Sequence, residues 1–137
     1  MTKLKSKELD YQAFLLAKKV IATKGELDIN IVGTSMLPLL PISGYVAKVY
    51  PVAKLDLLKR FDVIIFWQNN ILISHYFWKK NEYFNEDPND PYLVTRPLNP
   101  LKGVDQPIKF ENILGIVPAA QISWWLKMRI YKNLLFK

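Results

Sequence analysis

Apolar and polar positions follow several rhythms along this chain, and each predicts its own element. Leu9, Ala13, Leu16 and Val20 recur at helical spacing, which predicts a helix over 7–23 packed on a sheet. Ser6 is its candidate N-cap, Glu8 and Asp10 suit the positive end of the helix dipole, and Gly25 is its terminator. Short apolar runs at 29–32, 45–50 and 63–67 have the length and composition of strands. Gln68-Asn69-Asn70 is a hairpin signal, because asparagine tolerates positive φ, and 71–78 is the return strand. Alternation places Ile71, Ile73, His75 and Phe77 on one face and Leu72, Ser74, Tyr76 and Trp78 on the other. Lys79 and Lys80 follow where this strand is expected to end. Further strands are expected at 92–96 and 109–117, and Pro118 is expected to open a last helix reaching Phe136.

Composition narrows the class. The chain has 137 residues, 50% of them hydrophobic and 13% aromatic, enough for a buried core and too apolar for disorder. It reads as one domain in three parts: an N-terminal helix within 1–25, a β core over 26–117 and a basic aromatic helix over 118–137. The absence of cysteine removes disulfide and thiolate chemistry, and a single histidine makes a zinc site a poor fit. No metal and no cofactor is expected. The net charge of +7 suits an anionic membrane, nucleic acid or plain solubility. Nucleic acid is not expected as a partner, because the first helix has no helix-turn-helix companion and its Lys18, Lys19 and Lys24 read as solvated. Glu82, Glu86, Asp87 and Asp90 mark an exposed acidic loop over 81–91.

No window holds the ~18 consecutive apolar residues of a spanning helix. Residues 1–10 also lack the apolar stretch of a signal peptide. The location expected is cytoplasmic. The last helix interleaves Trp124, Trp125, Tyr131 and Phe136 with Lys127, Arg129, Lys132 and Lys137. That mixture fits peripheral attachment to an anionic membrane surface, and it also fits a terminal helix packed on the domain.

The candidate chemistry centres on Gly33-Thr34-Ser35-Met36-Leu37-Pro38. Gly33 permits a turn at the end of a strand, and Pro38 keeps the residue before it extended. A serine held between them beside backbone N–H groups can act as a nucleophile with an oxyanion site, or can simply cap its own turn. A serine hydroxyl needs a base at neutral pH, and imidazole, with an unperturbed pKa of about 6.5, is competent there, whereas a lysine needs strong desolvation.

Gly33-x-Ser35-Met36-x-Pro38 resembles the nucleophile box of the signal peptidase I and LexA-like serine peptidases. His75, on the return strand after Asp62-Val63, resembles the general base of their Ser-His branch. Thr95, Arg96 and Asp105 match a later segment of the pattern, and Ile113-Leu114-Gly115-Ile116-Val117 resembles the closing strand. The resemblance covers 33–117 and implies a mostly β, coiled half-barrel with N- and C-terminal helices. It implies Ser35 as nucleophile, His75 as base, the backbone of Thr34 and Ser35 as oxyanion site, and Asp105 as the group that orients His75. The implied partner is a peptide or protein precursor. Some positions depart from the pattern: Phe61 stands where the family has glycine, Tyr76 where arginine follows the histidine, and Pro97-Leu98 where it has Gly-Asp. Asp62 is retained and is expected to accept backbone hydrogen bonds in a turn, whereas Asp105 reads equally as a turn residue. These departures keep a second class open, a peptide-binding module that kept the fold and lost the chemistry. A self-cleaving DNA-linked repressor would need a DNA-binding domain, for which the 32 residues before the motif are too few.

Overall fold

A computed structural model gives the fold and describes residues 4–5, 11–31, 45–81, 90–98 and 105–135. The described residues are mostly β, and among them are two sheets and two α-helices, with no closed barrel. Strands β1 (Leu4–Lys5), β2 (Leu27–Ile31) and β3 (Tyr45–Val49) form the first sheet in that order, β1 parallel to β2 and β2 antiparallel to β3. Strands β4 (Asp62–Gln68), β5 (Ile71–Asn81), β6 (Tyr92–Arg96) and β7 (Ile113–Gln121) form the second, antiparallel sheet in the order β6-β5-β4-β7. Helix α1 (Tyr11–Lys24) precedes β2, and α2 (Trp124–Leu135) follows β7.

The main core lies between the first sheet, both helices and one face of the second sheet. Phe14, Ile21, Ile29, Val49, Val63, Ile65, Tyr76, Val117 and Ile130 meet there. Alternation along β4 sends Ile64 and Phe66 to the opposite face, where they pack with Phe77, Leu93, Ile108 and Ile113 in a smaller core. Among the described residues the two sheets are stitched by one bridge, in which Tyr50 N–H donates to the Ile116 carbonyl at 2.9 Å and Ile116 N–H donates to the Tyr50 carbonyl at 2.8 Å. Glycine is required beside it: a Cβ on Gly115 would lie 2.3 Å from the Tyr50 oxygen and 2.6 Å from Val49 Cγ1.

Several expectations need correction. The buried stripe of α1 is Phe14, Ala17 and Ile21, while Leu16 is 63% exposed. Phe14 sets this rotation by stacking on Trp67, ring centroids 5.9 Å apart. The start of that helix at Lys7 and its Ser6 cap lie outside the described residues. Strand β1 was not expected, being too short for any periodicity. Strand β5 runs on through Lys79 and Lys80 to Asn81 rather than ending at 78. A 3₁₀ turn, Phe110–Asn112, precedes β7, so the last strand starts at Ile113. Pro118 opens no helix: it sits within β7, exposed, where the ladder to β4 is interrupted between the Asp62 and Ile64 pairs. A proline on a sheet's end strand at such an irregularity forfeits no ladder bond. Helix α2 starts six residues later, capped by Ser123, whose Oγ accepts from Leu126 N–H at 3.3 Å.

Candidate active site

The hairpin joining β4 and β5 turns on Asn69 and Asn70, with φ of 54° and 64°. Two successive left-handed residues make the tight turn whose twist suits antiparallel strands. That turn fixes the register and sets His75 opposite Ile64. The imidazole lies on the smaller core's face, 7% exposed, edge-on to the Phe66 ring.

Strand β6 delivers the next residue. Thr95 pairs with Phe77 and is fully buried. Its carbonyl accepts the Asp105 N–H at 3.2 Å, and its hydroxyl donates to Asp105 Oδ2 at 2.7 Å. The same Oδ2 meets Nδ1 of His75. The His75 and Asp105 side chains are 9% and 16% exposed, so water screens this contact little. An ionised carboxylate only accepts, so Nδ1 carries the proton and Nε2 is left as the basic nitrogen. Thr95 occupies another lone pair of the carboxylate and restrains its rotation. Residues from β5, β6 and the segment before Ile108 thus form a chain of hydroxyl, carboxylate and imidazole. It can hold an imidazole in one tautomer and stabilise it when it takes up a proton.

Ser35 and Thr34 lie outside the described residues; Ile31, on β2, is the last described position before them. Lys79 and Lys80 are exposed, and Lys80 Nζ pairs with Asp56 at 3.5 Å. Leu98 is buried in the main core, on a different set of neighbours. The sequence reading assigned no role to Thr95. Its signal is a hydroxyl among otherwise apolar inward positions of a short strand.

The turn into β4 is built by Asp62, whose Oδ2 accepts Lys59 N–H at 2.8 Å. Phe61, before it, has φ 78°, the left-handed conformation glycine adopts freely. Its ring is held by Tyr76, Trp78 and Tyr131, with centroids 5.7–5.8 Å away. Arg60 covers Trp78 at 4.2 Å and Lys127 covers Phe61 at 5.2 Å. Tyr76 is fully buried on this side of the sheet, away from His75. Burial pushes its hydroxyl above the usual tyrosine range, and the neighbouring Arg96 charge works against that shift.

Among the described residues, no group of three His, Asp or Glu side chains is placed to hold a metal ion, and no helix is long and apolar enough to cross a membrane. No family model, no curated protein and no solved structure matches this chain. The reading of the site therefore rests on its own residues.

Proposed function

We propose that the protein is a serine peptidase of the signal-peptidase and LexA-like kind, its sheets forming the coiled half-barrel of that class. The observation that carries this reading is the buried contact between His75 and Asp105, braced by Thr95. Stability alone accounts poorly for such a pair, since burying a carboxylate costs desolvation that its hydrogen bonds only offset. In the proposed reaction Ser35 Oγ attacks the carbonyl carbon of a peptide bond while His75 Nε2 takes its proton. The backbone N–H groups of Thr34 and Ser35 hold the developing oxyanion. His75 then protonates the leaving amine, the acyl-enzyme forms, and a water activated by the same imidazole releases the acid. Asp105 keeps the imidazole oriented throughout. The substrate is a peptide or protein precursor, bound as an extended segment along a strand edge.

The second reading, a peptide-binding module without catalysis, draws on the buried Leu98 and the left-handed Phe61 at positions where the family has aspartate and glycine. A fluorophosphonate probe separates the two. Wild type should label at Ser35, Ser35→Ala and His75→Ala should not, and Asp105→Asn should label about 10³–10⁴-fold more slowly. Absence of labelling in folded wild type that still binds extended peptides would establish the module instead.

A further inference from the structure

Helix α2 is apolar on two sides. Leu126 and Ile130 point into the main core, as does half-buried Leu134. On the outer side Trp124 is 70% exposed, Trp125 66%, and Met128 and Leu135 are exposed with them. An open groove of about 750 Å³ runs along this side, lined by Trp125, Met128, Arg129, Lys132 and Leu135. Two adjacent tryptophans left in water call for an explanation, because large apolar patches on a protein surface mark sites that something covers.

We infer that this face docks on an anionic lipid bilayer, with the helix lying in the plane of the surface. Charge selects the occupant. Lys127, Arg129 and Lys132 are the only charged residues of α2, and no acidic residue occurs anywhere after Glu111. A second copy of this chain fits poorly, because a symmetric pair would bring Arg129 and Lys132 of both copies onto one shared face. Lipid headgroups match instead: the indole rings sit at the level of the headgroups, and the long basic side chains reach the phosphates. Each basic residue near such a surface strengthens partitioning about fivefold.

Tyr131 lines the groove as well but is anchored to the rest of the domain. It turns toward Phe61 and Trp78, and its hydroxyl accepts from Arg60 at 3.4 Å. The second sheet also separates the docking helix from His75, because α2 packs on the Val63 and Tyr76 face while His75 lies on the Phe66 face. Docking therefore leaves the His75 side turned away from the lipid. The inference does not depend on the peptidase reading.

Sedimentation with vesicles of phosphatidylglycerol and phosphatidylcholine tests it, using the full chain. The protein should pellet with mixed vesicles at low salt, and added salt should release it. Tryptophan emission should shift to the blue, a change reporting Trp124 and Trp125 because Trp67 and Trp78 are already packed. Trp124→Ser/Trp125→Ser and Arg129→Glu/Lys132→Glu should each weaken binding at least tenfold. Both pairs are surface substitutions, and circular dichroism checks that they fold. Protein remaining in the supernatant at low salt overturns the proposal. So does equal binding to pure phosphatidylcholine, or a dimer in solution that the tryptophan variants dissolve.

Discussion

Thr95 and Asp105 are tied to each other twice. The Thr95 hydroxyl donates to Asp105 Oδ2 at 2.7 Å, and the Asp105 N–H donates to the Thr95 carbonyl at 3.2 Å. The carboxylate that faces His75 is thus fixed at its backbone and at its acceptor oxygen. Thr95→Val keeps the shape and removes the hydroxyl, at a cost of about 1–2 kcal/mol. The His75 ring nitrogens should then shift in ¹⁵N NMR spectra, and Thr95→Ser should restore them. Unchanged ring-nitrogen shifts in the valine variant would show that Thr95 does not position the pair.

Phe61 sets a backbone preference against side-chain packing. Its left-handed conformation costs an ordinary residue about 1–2 kcal/mol. Its ring recovers that and more through Tyr76, Trp78 and Tyr131. Phe61→Ala and Phe61→Gly should both fall below wild type by about 2 kcal/mol or more in urea denaturation. The glycine variant should nevertheless be about 1 kcal/mol more stable than the alanine variant, because it alone relieves the backbone. The reverse order would mean that φ at this position carries no strain.

Gly115→Ala is expected to be among the most damaging single-methyl additions. The new carbon would meet a backbone oxygen at 2.3 Å, and that oxygen is itself an acceptor in the bridge between the sheets. Relief requires the backbone to move, so a loss of about 3 kcal/mol is expected. A melting temperature within a degree or two of wild type would refute the close approach of β3 and β7.

Tyr76 makes stability sensitive to alkali. Its hydroxyl is held above the usual tyrosine range by burial, so the unfolded chain gives up this proton first as pH rises. The contribution is whole below about pH 10, the ordinary tyrosine value, and is lost as pH climbs from there through the folded-state value. Tyr76→Phe should lie within about 1 kcal/mol of wild type at neutral pH. It should lose less of its melting temperature than wild type above about pH 10. Parallel alkaline profiles would assign the sensitivity to other groups.

Much of the β architecture could be read locally. Asn69-Asn70 announced the hairpin, and alternation along β5 put His75 and Tyr76 on opposite faces. Gly25 ends α1 with φ 82°, and Asp62 accepts the backbone N–H expected of a turn carboxylate. What failed was information that only packing supplies. Two apolar stripes run side by side along α1, and the Trp67 ring chose Phe14 over Leu16. Pro118 resembles a helix opener until its place in the sheet is known. The contact of His75 with Asp105 spans 30 positions: local pattern leaves Asp105 equally a turn residue, and only the family resemblance pairs the two. Thr95 matches the family pattern, but no role follows from the match alone, since its meaning depends on a carboxylate from another segment.

The bridge between Tyr50 and Ile116 is the single point at which the ladders of the two sheets meet among the described residues. Because both of its hydrogen bonds join backbone atoms, neither sheet can peel away without breaking it. Unfolding of one half is thereby coupled to the other. The Tyr50 and Ile116 amides should be among the slowest to exchange with deuterated solvent, opening only when the whole molecule opens.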